Sequence, residues 1–464
     1  MSFIPGRILS KLFNRTSLKN CDNKVCFSVK NRLAPATLLS VSRIELDGSE
    51  VSLEQVNVGC DENPSVPVSA ITRKKPMDFP LGTLLSFFME IDSLEPGSHD
   101  LTVVFSTDPF GELRMSISDE LNSGEHAPGA LPRDAENDYS KKIIRARQAF
   151  IQEQTGVKLD HVTRYSIDPA ATRGNIEHFT GVAQVPLGFA GPLLVHGQHA
   201  QGEFYVPLAA SEGTLVASYN RGMKVLHQSG GVKCAVVGDN MQRAPVFIFE
   251  DAATARRFAE WVVENTEELR AVANDTDPFL KLKYIDYYLA NKFAFLRFNY
   301  HTGDAAGMNM VGKATFAACN WILKNCDTAD IQQFYLESNF ATDKKASVIN
   351  IMRTRGKRVT AEATIKRDVL LEIMDADTEA LYQLYKASGI GTLMSGANNN
   401  GLHSANAITA IFLATGQDVA NVSESSVGLL YAELTPEKDL YFSITLPSLI
   451  CLLYTSPSPR DFSC

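Results

Sequence analysis

Short runs in which apolar and polar residues alternate fill the first quarter of the chain, over residues 24–118. Alternation with a period of two puts one face of an extended segment against a core and the other in solvent, so each run predicts a β-strand. The dipeptide Asp47-Gly48 separates two of the runs and is a strong hairpin signal. The predicted strands are KVCFSV (24–29), ATLLSVSRIEL (36–46), VSLEQVNV (51–58), VPVSAI (66–71), GTLLSFFMEI (82–91), HDLTVVF (99–105) and ELRMSIS (112–118).

The regular spacing of these runs, with turn residues between them, predicts an all-β, sandwich-like domain over residues 1–121. It carries no catalytic grouping of residues, which favours a packing or interaction module. Residues 122–138 are rich in Gly, Pro, Asn and Asp and predict a linker. A predicted helix over 139–156 then opens the second part of the chain.

The pattern over residues 245–335 predicts a small domain of its own. A strand at 245–250 precedes a helix that Asp251 can cap and that runs to about Asn274. Two strands (281–290 and 292–300), a helix (308–325) and a strand (331–337) complete the order. Strand-helix-strand-strand-helix-strand is the ferredoxin-like order.

The predicted fold class is therefore α/β (α+β), with the ferredoxin-like small domain inserted into a larger one and an all-β domain in front. The large domain comprises residues 139–244 and 336–450. The segment after the lysine pair at 344–345, SVINIM (347–352), has the composition of a strand.

Composition narrows the class of protein. The 464 residues are 45% hydrophobic, and the net charge of −9 with no compensating basic block argues against a nucleic-acid partner. No run of about 18 apolar residues exists, so no membrane span is predicted. The eight cysteines form no Cys-x-x-Cys pair, which argues against a zinc site and favours a reduced, cytoplasmic protein.

Glu212 is the first candidate for chemistry. It lies in a predicted turn between a strand (202–210) and a helix (215–226). Two interpretations are open. The acid is either simply favoured by the positive end of a helix, or it is buried enough to stay protonated and to donate a proton.

A charged cluster and a later acid are the next candidates. Asp343, Lys344 and Lys345 form either a solvated loop cluster or a site where an ammonium is held against a developing oxyanion. Asp418 follows Gly416 at the end of a predicted helix. It either caps the next segment or couples electrostatically to Glu212 and Lys344.

The run GDAAGMNM (303–310) is not the usual dinucleotide fingerprint. Its glycines still permit close approach of the backbone, and the helix that follows can face a phosphate with its N-terminus. Taken alone the signal is weak, because methionines such as Met308 and Met310 more often belong to a core.

In their order along the chain, four segments resemble the hydroxymethylglutaryl-CoA reductases, of the class I type that includes the eukaryotic and many archaeal enzymes. They are SEGTLVAS (211–218), GDAAGMNM (303–310), TDKKASVIN (342–350) and LHSANAITAIFLATGQD (402–418). Two further runs support the resemblance, NIEHFTGVAQVPLGFAGPL (175–193) and GKRVTAEATI (356–365). It covers roughly residues 140–450, and it implies an oligomer, a homodimer or homotetramer, with active sites between subunits.

The activity that the resemblance implies is a two-step, four-electron reduction of hydroxymethylglutaryl-CoA to mevalonate and CoA with two NADPH and no metal. By position, the implied catalytic residues are Glu212 as acid, Lys344 as oxyanion-stabilising cation and Asp418 as the carboxylate that links them. The implied substrate-binding residues are Arg243, Asp343, Lys345, Lys386, Asn406 and, on the CoA side, Ser218, Asn220 and Arg221. The implied cofactor-binding residues are Asp304, Gly307, Met308 and Asn309.

The chain departs from this family at three places. Many relatives have Ser-Arg-Phe where this chain has Asp277-Pro278-Phe279, and an acid there would repel the 2′-phosphate of NADPH. The serine expected ahead of the lysine segment is shifted to the vicinity of Glu337-Ser338. After residue 450 the expected glycine-rich loop and catalytic histidine do not follow.

The last histidine is His403, and residues 451–464 resemble nothing in the family. We therefore expect a sequence clipped at its C-terminus that by itself does not complete turnover. Two alternatives to a reductase stay open at this point. One is a catalytically incomplete, reductase-like protein that binds CoA compounds or partners, and the other is an oxidoreductase acting on a different acyl-CoA.

Overall fold

In the computed structural model the chain forms two compact units, Met1–Pro132 and Arg133–Cys464. The structure describes residues 9, 12–14, 17–21, 24–31, 36–60, 63–80, 82–121, 130–134, 137–303, 305–327, 329–400 and 403–450.

The first unit consists of two antiparallel sheets. One has the order β1-β2-β8-β5-β6, with strands Lys19–Cys21, Lys24–Lys30, Leu84–Met89, Val56–Cys60 and Asn63–Pro67. The other has the order β10-β9-β3-β4, with strands Gly111–Leu121, Gly97–Asp108, Ala36–Leu46 and Ser49–Glu50, and with β7 (Met77–Phe79) paired to β3. Side chains from both sheets form one buried core, in which the rings of Phe27 and Phe87 stack at 4.8 Å. The predicted all-β fold of this region is confirmed.

The Asp47-Gly48 hairpin joins β3 to β4 as predicted, with φ of 51° and 77° at its two central residues. Two other predicted strands are shorter than their runs, because 3₁₀ turns replace part of 51–58 and 66–71 at Leu53–Gln55 and Val68–Ala70. In the first run the adjacent polar residues Glu54 and Gln55 break the alternation of apolar and polar positions. The 3₁₀ turn lies at this break, and the strand begins after it.

The small domain has the predicted element order. Its elements are β14 (Val246–Ile248), α3 (Ala252–Glu264), α4 (Thr266–Asn274), β15 (Lys281–Ala290), β16 (Phe293–His301), α5 (Met308–Asn325) and β17 (Gln333–Tyr335). The strands lie in the antiparallel order β17-β14-β16-β15, which is the ferredoxin-like arrangement. Phe247, Phe258 and Phe298 are fully buried at its centre.

The helix predicted to run from Asp251 to Asn274 is two helices. Asp251 does cap the first, accepting a hydrogen bond from the Thr254 amide at 2.7 Å. The break falls at Asn265, whose side chain donates to the carbonyl of Trp261, while the Thr266 hydroxyl donates to that of Val262. Side chains that bond the preceding turn in this way compete with the regular ladder and favour a bend.

The larger region begins with α1 (Lys141–Thr155), capped by Ser140 and ended by Gly156 at φ 69°. Its remaining elements are β11 (Leu187–Gly197), β12 (Gln201–Ala209), α2 (Leu215–Gln228), β13 (Val232–Arg243), α6 (Val348–Arg353), β18 (Gly356–Ile365), α7 (Arg367–Met374), α8 (Thr378–Ser395), α9 (Ser404–Ala414), α10 (Val422–Ser425), β19 (Leu429–Leu434) and β20 (Leu440–Leu449). Strand β13 pairs with β18 through residues 233–240 and with β16 through residues 241–243. One ten-stranded sheet therefore runs through both regions.

Residues 347–352, which have the composition of a strand, instead form the short helix α6. The reason is tertiary, because helical geometry lets the fully buried Asn350 face the loop before it. The Asn350 side chain accepts from the Thr342 hydroxyl and donates to the Lys345 carbonyl.

Among the residues that the structure describes, no helix is both long and apolar enough to cross a membrane.

Candidate active site

Lys344 and Asp418, which are 74 residues apart in the sequence, form an ion pair with Nζ–Oδ2 at 2.7 Å. The hydrogen bond to Asp418 is the main cause that raises the pKa of Lys344. Burial acts to raise the pKa of Asp418, but the hydrogen bond from Lys344 and its charge outweigh it and the pKa is lowered. Both groups are therefore charged at neutral pH.

Asp418 also serves as a cap. Its Oδ1 accepts from the Ala420 amide at 3.0 Å at the start of a 3₁₀ turn, Val419–Asn421. The structure thus shows both the cap and the contact with Lys344, one through each carboxylate oxygen, while the coupling of Asp418 to Glu212 stays a prediction.

The loop that presents Lys344 has an unusual backbone. Thr342 and Lys344 have φ of 59° and 55°, in the left-handed region that β-branched and bulky residues avoid. Such conformations persist only where the surroundings hold them. Here the Thr342 hydroxyl bonds Asn350 at 2.5 Å and the Lys344 amide donates to Glu424 Oε1 at 3.2 Å.

The other two charges of the cluster differ in their surroundings. The Asp343 carboxylate accepts from Arg355 Nη2 at 2.6 Å. Lys345 is exposed and its ammonium donates to the Asp343 carbonyl at 3.1 Å. The cluster is thus partly anchored and partly open to a ligand, and the substrate-binding roles of both residues stay predictions.

Glu212 lies between β12 and α2, as predicted, but it is exposed in the single chain. It precedes Thr214, the N-cap of α2, so it is not a first-turn acid of that helix. The catalytic interpretation requires burial, which one chain alone does not provide. Within the described residues, Glu212 makes no hydrogen bond or ion pair with Lys344 or Asp418.

Tyr219, on the helix that follows Glu212, connects the surroundings of Glu212 to α9. Burial is the main cause that raises the pKa of Tyr219, on α2, and the negative charge of Glu212 adds to it. The Tyr219 hydroxyl donates to the His403 carbonyl at 3.4 Å, at the start of α9. Asn406 is half-buried in the first turn of that helix, and Asp418 follows its end. Helix α9 therefore links the neighbourhood of Glu212 to the Lys344–Asp418 pair.

Arg243 ends β13 and forms an ion pair with Glu337 at 3.1 Å. The same carboxylate accepts from the Ser338 and Asn339 amides, and the Ser338 hydroxyl donates to the Ala244 carbonyl at 2.7 Å. The shifted serine is therefore already engaged with the backbone, and the charge of Arg243 is partly compensated.

The predicted CoA-side residues lie on α2. Ser218 and Arg221 are exposed, whereas Asn220 Oδ1 accepts from the Gly191 amide at 3.0 Å, where the pairing of β11 with β12 is irregular. Lys386, on α8, is exposed, and its ammonium lies 4.9 Å from the centre of the Tyr382 ring. Their binding roles stay predictions.

The predicted cofactor residues surround the start of α5. Gly307 is its N-cap with φ 67°, and a Cβ there would lie 2.5 Å from Thr302 Cγ2, so a glycine is required. Asn309 is exposed, whereas Met308 packs partly against the core of the small domain, as does Met310. Asp304 lies outside the described residues. No described side chain caps this helix, and its first amides can face an anionic group.

Among the described residues, no cluster of three or more His, Cys, Asp or Glu side chains is placed to hold a metal ion.

Comparison with known proteins decides the family. Residues 143–452 match the family model described as hydroxymethylglutaryl-coenzyme A reductase. Residues 8–122 match the one described as hydroxymethylglutaryl-CoA reductase, N-terminal domain. The chain belongs to the hydroxymethylglutaryl-CoA reductase family.

Two archaeal reductases are examples of relatives of this chain. The 3-hydroxy-3-methylglutaryl-coenzyme A reductase of Methanothermobacter thermautotrophicus is 42% identical over 338 residues, which are 72% of this chain and 83% of the relative. That of Pyrococcus abyssi is 41% identical over 317 residues, which are 68% and 77% of the two chains. Among solved structures, the reductase of Streptococcus pneumoniae has a TM-score of 0.50 at 20% identity, covering 70% of this chain and 90% of that one, and shares the fold.

Three buried polar residues beneath the lysine loop were not predicted from the sequence of this family member. They are Asn350, Arg355 and Glu424. Arg355 and Glu424 are 1% and 0% exposed. Charged side chains are almost never buried unless they are paired, and their partners here are far apart in the sequence. No local pattern therefore marked them.

Proposed function

We propose that this chain reduces hydroxymethylglutaryl-CoA to mevalonate and CoA with two NADPH. The observation that carries the proposal is the Lys344–Asp418 ion pair at 2.7 Å in a member of this reductase family. An ammonium fixed by a carboxylate is suited to a carbonyl oxygen that gains negative charge during reduction.

When bound, NADPH would supply the hydride for both reductions, the first at the thioester carbon and the second at the aldehyde carbon that forms once the C–S bond has broken and CoA has left as its thiolate. Lys344 donates a hydrogen bond to the carbonyl oxygen and stabilises the charge that develops there. Asp418 keeps the ammonium charged and aimed, because their hydrogen bond raises the lysine pKa. Glu212 donates the proton that completes the alcohol.

NADPH fits the small domain at the start of α5. The first amides of that helix, which no described side chain caps, suit an anionic group, and Gly307 allows close approach of the chain. We assign Asp304, Gly307, Met308 and Asn309 to this site. Residues 245–335 would then bind the cofactor, residues 139–244 and 336–450 the substrate and CoA, and residues 1–121 would form a separate module.

We propose that Asp277 determines the preference between NADPH and NADH. Its carboxylate accepts from the Phe279 amide at 2.9 Å, and the neighbouring Thr276 carbonyl accepts from Lys313 of α5 at 3.2 Å. The loop therefore lies beside the helix whose start is assigned to the cofactor. Lys313 lies five residues beyond Met308, which is about 7.5 Å along the helix.

Replacing Asp277 with asparagine is expected to raise kcat/KM for NADPH about tenfold, or about 1.4 kcal/mol, because repulsion of the 2′-phosphate is removed. The value for NADH should not change. Initial rates with the two cofactors measure the ratio, and Asp275→Asn, at an exposed acid two residues earlier, is the matched control. An unchanged ratio would show that Asp277 does not face the phosphate.

We also propose a homodimer or homotetramer with active sites between subunits. Glu212 is exposed in one chain, and large apolar side chains are exposed close to the site segments. They include Phe189, Tyr205, Val348, Met352, Leu393 and Met394, the last two 81% and 83% exposed. A second chain covering these faces would bury both the apolar surface and Glu212.

The class I type is proposed from the four motif segments, together with identities of 41–42% to the two archaeal relatives against 20% to the Streptococcus pneumoniae enzyme. A cytoplasmic location is proposed because the eight cysteines are spread along the chain without a Cys-x-x-Cys pair, a usage typical of reduced proteins.

The deciding experiment is NADPH oxidation that depends on hydroxymethylglutaryl-CoA, with mevalonate identified as product. We expect two NADPH consumed for each mevalonate formed. Binding of hydroxymethylglutaryl-CoA without oxidation would favour the catalytically incomplete, CoA-binding alternative. Oxidation with a different acyl-CoA in preference would reassign the substrate.

A further inference from the structure

A buried ionic group lies directly beneath the loop that carries Lys344. It consists of Arg355, at the start of β18, and Glu424, on α10, whose side chains are 1% and 0% exposed. Arg355 Nε lies 3.6 Å from Glu424 Oε1, and Arg355 Nη2 lies 2.6 Å from Asp343 Oδ1. The guanidinium therefore connects the acid next to Lys344 with a second acid in the interior.

Glu424 is costly to bury, and burial raises the pKa of its carboxyl. The charge of Arg355 and the hydrogen bond from the Lys344 amide act against this shift and favour the carboxylate. Replacing a buried ion pair with apolar side chains is often neutral or stabilising, so fold stability alone is a poor reason for this one. Its geometry points to another use.

Lys344 is held at both ends by one short segment of chain. At the tip, its ammonium bonds Asp418 at 2.7 Å, and at the base its amide donates to Glu424 at 3.2 Å. The two acids are six residues apart, joined by a 3₁₀ turn and the first residues of α10. Backbone and side chain of the lysine are thus aligned to the same rigid element.

The base of this arrangement is itself immobilised. Besides its two carboxylates, Arg355 donates from Nη1 to the Gln242 carbonyl and from its amide to Ser448. These contacts attach it to the neighbouring strands β13 and β20 of the central sheet. A shift of Glu424 or Arg355 would weaken the hydrogen bond that holds the Lys344 backbone in its left-handed conformation. That conformation is strained for a residue with a side chain, so the loop would change without this support.

We infer that Glu424, supported by Arg355, is a positioning residue that fixes the Lys344 ammonium at the reacting carbonyl. The inference rests on the catalytic role proposed for Lys344. Glu424 contacts the lysine backbone from the interior and is not a catalytic residue. A displacement of about 1 Å at a reacting group can reduce turnover about 100-fold, so a buried support of this kind affects the rate without touching substrate.

The test compares Glu424→Ala, which removes the acceptor, with Glu424→Gln, which keeps an acceptor oxygen at the same reach. Asp439→Asn is the matched control, because Asp439 is another buried acid with a lysine partner, Lys366 at 2.6 Å, and lies outside the site. The first readout is the pH dependence of reductive methylation of Lys344, followed by peptide mass spectrometry. It reports whether the ammonium still bonds Asp418 and needs no turnover.

In Glu424→Ala we expect the labelling curve of Lys344 to move to lower pH, since Asp418 no longer holds the ammonium. The charges of Asp343 and of Glu424 itself also raise the pKa of Lys344, and Asp343 is retained in every variant. Glu424→Ala and Glu424→Gln remove the same charge, so the difference between their curves reports the loss of positioning. Glu424→Gln should move the curve less, and Asp439→Asn should leave it in place. Equal movement of the curve in folded Glu424→Ala and Glu424→Gln protein would overturn the inference. If that variant does not fold, Glu424→Asp, which keeps the charge but shortens the reach, decides in the same way.

The second readout is kinetic. We expect Glu424→Ala to lower kcat about 10- to 100-fold with a smaller change in KM for hydroxymethylglutaryl-CoA, and Glu424→Gln to recover part of it. A decrease of kcat in Glu424→Ala no larger than that in Asp439→Asn would overturn the inference. The labelling result decides the role of Glu424 with or without turnover of the wild-type chain, so failure of this inference and failure of the proposed function can be told apart.

Discussion

Replacing Glu212 with glutamine is expected to abolish mevalonate formation, lowering kcat by about 10²- to 10⁴-fold, while hydroxymethylglutaryl-CoA still binds. The amide keeps the size and hydrogen-bonding reach of the side chain but has no proton to donate in the transition state. Rates are measured by NADPH oxidation with mevalonate detection, and binding by calorimetry.

The matched control for this variant is Glu203→Gln. Glu203 lies on β12, the strand that leads to Glu212, and its carboxylate pairs with His227 at 2.7 Å. Removing its charge changes the same strand-turn-helix unit without changing the proposed acid. Normal turnover in Glu212→Gln, or an equal loss in both variants, would remove Glu212 from the mechanism.

Replacing Lys344 with methionine is expected to lower kcat by about 10²- to 10³-fold or more, because the developing oxyanion loses its cation and Asp418 is left as an unpaired charge near it. The control is Lys366→Met, which breaks a comparable ion pair with Asp439 at 2.6 Å. Retention of wild-type kcat in Lys344→Met would contradict the proposed site.

The pH dependence of the Lys344–Asp418 pair follows from its pKa shifts. The raised pKa of Lys344 gives a contribution to stability that is present below 10.5 and is lost as pH rises through the folded value. The lowered pKa of Asp418 gives one that is present above 3.8 and is lost as pH falls through the folded value. Between these limits both groups stay charged, so a rate that changes with pH between 5 and 9 has another origin.

Much of the fold was predictable from local patterns. The strand at 36–46 and the helix at 308–325 have the bounds that their periodicity indicates, and Asp251 caps the helix it was expected to cap. The errors have a common cause. The helix broken at Asn265 and the helix at 348–353 depend on side-chain hydrogen bonds, to the preceding turn in one case and to a distant loop in the other.

The candidate site was predictable only as a set of parts. Ordered motifs named Lys344 and Asp418, and the structure brings these two together, but it leaves Glu212 exposed and apart from them in the single chain. Arg355 and Glu424 were not found, because a charged residue gives no sign in the sequence that it will be buried. Arg355 and Glu424 support the site as an ion pair, and the two residues are 69 positions apart in the sequence.

The amino-acid sequence by itself determined the family, the all-β and ferredoxin-like regions and the identity of the ionisable groups at the site. Periodicity, capping residues and ordered motifs, which carry this information, are local properties of the chain. Only the tertiary structure decided which charges meet, which are buried and how the lysine loop is held. Those properties arise from desolvation and from contacts between distant segments, and both exist only after the sheet that carries β13, β18 and β20 has assembled.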